Sequence, residues 1–330
     1  MSKYARRRVP VLGVVTLLLA MVAACSGNQS SSDSVTLRLD FLPSGYHAPF
    51  VWAEQSGIYA DSDVDLTVVD GTGSAVTAQR VASGAEAYGF VDMGTAMQLI
   101  DQGAPIRAIS VIVQRSPLSL LSLTSSGIDE PADLVGKRIG QVGDGANAAM
   151  LPVFLRAAGV PVDGVQPVNV PGPSLPQAVV DGDVDAMIGI LNFHLAILEH
   201  ELGADISRLD IADYGVNVLS FALITNETEI EQNPDRVRSV VSATVEAWTS
   251  VVADPEPALA ALQEAYPDLN PEVARDQLAT TITLLHTPAT EGMPIGTTVD
   301  EDVLASEQAL VDAGLLDEVT GEVDRYLWRG

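Results

Sequence analysis

The apolar and polar positions change character twice along the chain. Residues 9–24 carry no charge at all, whereas from residue 35 short β-branched runs alternate with helical ones, and from residue 233 helices alone follow. Residues 35–40 (VTLRLD) alternate with period two and predict a strand. A Pro- and Gly-containing loop follows at 41–49, then a helix over 50–56 stopped by Gly57. Residues 64–69 predict a second strand. The turn Gly71-Thr-Gly-Ser74 opens a helix to about Ser83, and 88–91 is a third strand. Asp92-Met-Gly-Thr95 opens another helix, and 106–113 is a further strand. Strands alternating with helices in this way predict a parallel, doubly wound sheet.

The pattern then restarts. Strands are predicted at 118–124, at the end of 134–140, at 165–170 and at 184–190, with a helix over 148–158 capped by Gly159. Residues 219–224 predict one more strand, and Asn233-Pro234 opens a long amphipathic helix to about residue 252. The architecture expected is α/β, with two lobes: residues 35–115 plus 219–330 form the first and 116–218 the second. Two crossover segments near 113–118 and 213–219 join them. In such sheets ligands bind at the carboxyl ends of strands and between lobes.

The N-terminus changes the picture of where the chain resides. Lys3, Arg6, Arg7 and Arg8 precede the uncharged run, which is short for a hydrocarbon core of about 30 Å. It ends Val22-Ala23-Ala24-Cys25. Residues 1–24 are therefore expected to be a secretory signal. The cysteine after small residues resembles a bacterial lipobox, which implies acylation of Cys25. Residues 25–34 are Ser-rich and polar and are expected to act as a flexible tether. Cys25 is the only cysteine, so an internal disulfide is impossible.

Charge narrows the partners. Removing the signal leaves 13 Lys and Arg against 44 Asp and Glu. Such acidity disfavours nucleic acid and anionic lipid as partners. With 47% hydrophobic residues the bulk of the chain is not disordered.

Several stretches together resemble one family. Residues 39–53 (LDFLPSGYHAPFVWA) with Ser56-Gly-Ile-Tyr59, Gly71-Thr-Gly-Ser74, 79–84 (QRVASG), 127–137 (GIDEPADLVGK), 182–187 (GDVDAM) and 233–237 (NPDRV) follow in order. They are similar to substrate-binding proteins of the thiamine-pyrimidine, sulfonate and nitrate type. The resemblance implies a type II periplasmic-binding fold and a solute-binding lipoprotein that serves an ABC importer. Its partners would be a small, aromatic or heterocyclic ligand such as a pyrimidine thiamine precursor, the permease and its ATPase, and the membrane through lipid on Cys25. A monomer without cofactor or metal is expected. In the pyrimidine binders the opening reads Asp-Trp-x-Pro-Asn-x-x-His; here Phe41 and Ser44 replace the Trp and Asn, while Pro43 and His47 keep their spacing. After the strand at 184–190 those binders often place an aromatic residue and then a Glu. This chain has Ile190-Leu-Asn-Phe-His194 instead, which favours a neutral or anionic aromatic ligand. An aromatic carboxylate, a sulfonate or a nitrate-like anion is the alternative.

The candidate site follows from strand ends and turns. Phe41, Tyr46 and His47 lie in the loop after the first strand. A planar ligand stacked on Phe41 or Tyr46 gains ~0.5–1.5 kcal/mol beyond burial. Gly73, Ser74 and Thr77 begin a helix whose free N–H groups suit an oxygen-rich group, and Asp144 and Asn147 begin the matching helix of the second lobe. Asn192 and His194 follow the last strand of that lobe. Asp92 and Tyr214 sit at strand ends, and Arg115 at the crossover suits an anion.

Other classes carry fewer features. The fungal pyrimidine-precursor synthases use a histidine of the opening loop as a reactant together with a cysteine-rich iron motif. His47 matches the first feature, and one cysteine cannot supply the second. No Gly-x-Ser-x-Gly elbow is present. The four histidines (His47, His194, His200, His286) show no metal-ligand spacing. A sensor that binds the ligand without passing it on has the same sequence signature as an importer component.

Overall fold

The computed structural model describes residues 34–143 and 146–330. The expected signal, Cys25, nearly all of the tether and Asp144 lie outside them. Ten strands form two sheets: β1 (Val35–Arg38), β2 (Leu66–Val69), β3 (Tyr88–Asp92), β4 (Ile106–Val111), β5 (Leu118–Leu123), β6 (Arg138–Gln141), β7 (Gln166–Asn169), β8 (Ala186–Ile190), β9 (Ile206–Asp210) and β10 (Phe221–Asn226). The first sheet runs β2-β1-β3-β10-β4 and the second β7-β6-β8-β5-β9.

Each sheet is mixed, where the alternation of strands and helices predicted parallel ones. β1 pairs in parallel with β2 and β3, but β10 lies antiparallel between β3 and β4. Likewise β6 pairs in parallel with β7 and β8, while β5 is antiparallel to β8 and β9. The reversed strand is in each case the one that enters directly from the other sheet. It has no preceding crossover helix in its own sheet, so nothing forces it to run with the rest. β9 has no counterpart among the predicted strands. Its residues are only partly buried, and Arg208 and Asp210 interrupt the apolar run.

The core follows from the periodicity. β10 is buried along its whole length, as befits a strand flanked on both edges and covered on both faces. Beneath the first sheet the helix Pro234–Ala253 turns Val237, Val240, Thr244, Ala247, Trp248 and Val251 inward, the spacing of one helical face. Trp248 meets Phe50 edge-on, and Phe50 packs on Phe90. The helix Glu256–Ala265 lies on the helix Ala48–Gln55, and the helix Pro271–Ile282 comes next.

Candidate functional site

The carboxyl ends of β1 and β3 carry the acidic groups Asp40 and Asp92. The chain leaves β1 through residues 39–44 into a short 3-10 turn, Gly45–His47. The start of that connection is held by the segment 71–73. Gly73 N–H donates to the Asp40 carbonyl at 2.8 Å, and Gly71 N–H to that of Phe41 at 3.1 Å. A β-carbon on Gly71 would fall 1.9 Å from the Leu39 carbonyl oxygen, so only glycine lets the two segments meet.

His47 is wholly buried, and both of its ring nitrogens are hydrogen-bonded. Its Nδ1 accepts from the Ser44 backbone N–H at 3.1 Å, which makes Nε2 the donor to Asp40 Oδ1 at 2.7 Å. Tyr46 donates to Asp40 Oδ2 at 3.2 Å and stacks on Phe221, which in turn stacks on Phe90. Burial, and then the Asp40 charge, pushes the Tyr46 phenol far above its usual range, so it stays a donor. The expected ligand contacts Tyr46 and His47 are thus the inner layer that orients the Asp40 carboxylate.

The first turn of the helix Ser74–Ala82 is likewise engaged within the protein. Thr77 is fully buried and donates to the Leu39 carbonyl at 2.8 Å. Ser74 Oγ accepts from Asp92 N–H at 3.0 Å, and Gly73 spends its N–H on Asp40. Asp92 caps the next helix, its Oδ1 accepting from the Thr95 N–H and hydroxyl at 2.8 and 3.0 Å. Burial pushes its carboxyl up to about 6, with a further push from Asp40 and an opposing pull from the Thr95 bonds.

From the second sheet, the helix Leu191–Ala196 follows β8 directly. Phe193 meets Phe41 edge-on with ring centroids 6.3 Å apart, which brings the two sheets' loops into contact. Phe41 is 41% exposed, and Leu42 beside it 56%, so this rim offers apolar surface to a ligand. Asn192 is fully buried. Its amide donates to Thr281 Oγ1 at 3.0 Å, and its Oδ1 has no hydrogen-bond partner among the described residues. His194 Nδ1 accepts from Ile190 N–H at 2.9 Å. Burial lowers its pKa to about 4, so the ring is neutral and presents Nε2–H as a donor.

The remaining candidates stand apart from this cluster. Arg115 is paired with Asp213 on the other connection between the sheets. Tyr214 packs edge-on against Phe154, with centroids 5.4 Å apart, in the second sheet's core. Asn147 lies half-buried in the first turn of the helix Ala146–Ala157. Among the described residues no group of three or more His, Cys, Asp or Glu is placed to hold a metal. A cavity of about 610 Å³ lies elsewhere, between β4, Arg238 and the C-terminal residues 327–330.

Three participants were missed from the sequence. Asp40 is the first residue of the opening motif, and its place at a strand's carboxyl end was the available signal. Gln277 and Thr281, four apart on one face of the helix Pro271–Ile282, carry no local signal, since their partners lie 84 to 232 positions away.

Two mixed sheets joined by two connections, with a loop cluster at their facing edges, define the two-lobed type II periplasmic-binding fold. The solved periplasmic aliphatic sulphonate binding protein of Escherichia coli superposes with a TM-score of 0.70 at 18% identity, covering 89% of this chain and 92% of that one. The alkanesulfonate-binding protein of Xanthomonas axonopodis pv. citri, bound to MOPS, gives 0.66 at 17%, covering 90% and 99%. The chain belongs to the NMT1/THI5-like family, whose model matches residues 44–258. The formylaminopyrimidine-binding protein of Halalkalibacterium halodurans is 30% identical over 288 residues, 83% of this chain and 86% of that protein. The 4-amino-5-hydroxymethyl-2-methylpyrimidine phosphate synthase of Legionella pneumophila is 28% identical over 243 residues, 73% and 76% of the two chains.

Proposed function

We propose that this chain is an extracytoplasmic solute-binding protein that captures an aminopyrimidine related to formylaminopyrimidine and delivers it to an ABC importer. The observation that carries the ligand class is the pair of carboxylates, Asp40 and Asp92, at the carboxyl ends of β1 and β3. They accept hydrogen bonds from a ligand rich in N–H donors and repel a sulfonate or carboxylate. The one candidate cation for an anionic ligand, Arg115, is already neutralised by Asp213. Phe41 and Phe193 supply aromatic faces for a planar ring. This reading keeps the pyrimidine-type ligand that the family resemblance implies and sets aside the anionic alternative, although the glutamate expected near residue 194 is missing. The acidic complement comes from the first lobe instead.

Binding without chemistry fits the site better than synthase activity. A histidine that acts as a reactant needs access to the other reactants, and His47 is sealed beneath Asp40 with both nitrogens engaged. Tethering through lipid on Cys25 belongs to the same reading and rests on the N-terminal sequence pattern.

A thermal-shift panel tests the ligand class, with formylaminopyrimidine, 4-amino-5-hydroxymethyl-2-methylpyrimidine, an alkanesulfonate and benzoate as probes. A pyrimidine at 100 times its dissociation constant should stabilise the protein by about 2.7 kcal/mol. Stabilisation by the sulfonate or benzoate alone would overturn the assignment.

A further inference from the structure

Gln277 is 3% exposed in the middle of the helix Pro271–Ile282, and both ends of its amide are used. Its Oε1 accepts from Gly45 N–H at 2.8 Å, in the turn that carries Tyr46 and His47. Its Nε2 donates to the Phe193 carbonyl at 3.3 Å, on the helix Leu191–Ala196 of the other lobe. One side chain therefore ties the turn that orients Asp40 to the segment of the second lobe that faces Phe41.

Two further observations place this contact on a built seam. A β-carbon on Gly45 would sit 1.9 Å from the Ala274 carbonyl oxygen and 2.8 Å from Gln277 Cβ, so the turn is shaped to lie directly on this helix. One helical turn on, Thr281 Oγ1 accepts from the buried Asn192 amide at 3.0 Å. The bonds to Phe193 and Asn192 cross from one lobe to the other and exist only while the lobes are together. The bond to Gly45 lies within the first lobe and survives opening.

We propose that Gln277 is a positioning residue for ligand capture, a two-ended amide that couples the Gly45–His47 turn to the closed arrangement of the lobes. The inference rests on the reading of the chain as a solute-binding protein. Ligand that aligns the Asp40 turn then favours the bond to Phe193, and closure in turn favours the aligned turn, since linked equilibria act reciprocally.

Two variants separate this role from simple anchoring of the loop. Gln277→Glu keeps the acceptor for Gly45 N–H but sets a carboxylate against the Phe193 carbonyl. Gln277→Met removes both ends at similar volume. Amide hydrogen exchange is followed in the ligand-free protein, beside melting temperature and the dissociation constant for formylaminopyrimidine. In Gln277→Glu, residues 191–196 should exchange about tenfold faster, while Gly45 keeps its protection. Formylaminopyrimidine should bind about tenfold more weakly, within the range expected for one lost hydrogen bond and a new repulsion. In Gln277→Met, Gly45 should lose protection as well. Wild-type exchange at 191–196 in Gln277→Glu would overturn the proposal and leave Gln277 as a loop anchor. Exchange is read without ligand, so failure of the pyrimidine to bind even the wild type would sink the ligand assignment and leave the test of Gln277 standing.

Discussion

Asp92 caps a helix and is proposed to serve the ligand site as well. Its Oδ1 caps a helix through Thr95, and burial holds its pKa at about 6. An unfolded Asp titrates near 3.9. A carboxyl whose folded pKa is raised favours folding when protonated, so this group's cost is absent below about pH 4 and grows as pH rises through 6. Asp92→Asn keeps an acceptor for Thr95 and cannot ionise. Melting curves of the two proteins should therefore coincide near pH 4 and separate by a few degrees in favour of the variant at pH 7.5. Formylaminopyrimidine should at the same time bind at least tenfold more weakly. Parallel curves would refute the buried charge, and unchanged affinity would remove Asp92 from the site. His47 and Thr77 were legible as residues of the loop and the helix start that follow β1 and β2. Their direction was not, because whether a side chain at a strand end points at a ligand or back into the protein depends on what packs behind it. Behind His47 lie Phe90 and Tyr46.

Between elements, the helix Pro271–Ile282 packs on the segment 191–201, and in the proposed division into lobes this contact joins the two away from their connections. Beyond the bonds of Gln277 and Asn192, His200 Nε2 meets Asp276 Oδ2 at 2.5 Å, and its Nδ1 lies 3.7 Å from Glu272. The hydrogen bond to Asp276, then the charges of Asp276, Glu272 and Glu199, raise the His200 pKa. A base with a raised folded pKa contributes fully below its unfolded value, near 6.5, and loses that contribution as pH rises through the folded one. Hydrogen exchange across 197–201 should thus quicken between pH 6 and 8.5 beyond its intrinsic pH dependence, and more so at low salt, where exposed pairs are less screened. His200→Gln should abolish the excess. An equal excess in the variant would show that the pair does not clasp the lobes. The elements themselves were largely legible: nine of the ten strands lie at or within a few residues of predicted ones. β9 was not, since an edge strand with charged residues shows little alternation. The helix 271–282 could be expected as a helix, but its lobe-bridging role depends on partners distant in sequence.

At the scale of the whole molecule, the two-lobed fold is that of extracytoplasmic binding proteins, and the N-terminal sequence pattern is what the proposed lipid anchor rests on. If Cys25 carries lipid, Cys25→Ser should move the protein from the membrane fraction to the soluble fraction, with the pyrimidine affinity unchanged. Retention in the membrane fraction would exclude that anchor. The amino-acid sequence by itself determined the period of each element, the restart of the α/β pattern that makes two lobes, and the order of motifs that places the chain in its family. These are local properties, set by alternation, turn residues and spacing along a few positions. Tertiary structure alone decided that one strand in each sheet is reversed, that His47 is buried with its ring bonded to Asp40, and that the Gln277 amide bonds both Gly45 and Phe193. Each of these depends on contacts between residues tens to hundreds of positions apart, and neither periodicity nor spacing carries information about which distant groups meet.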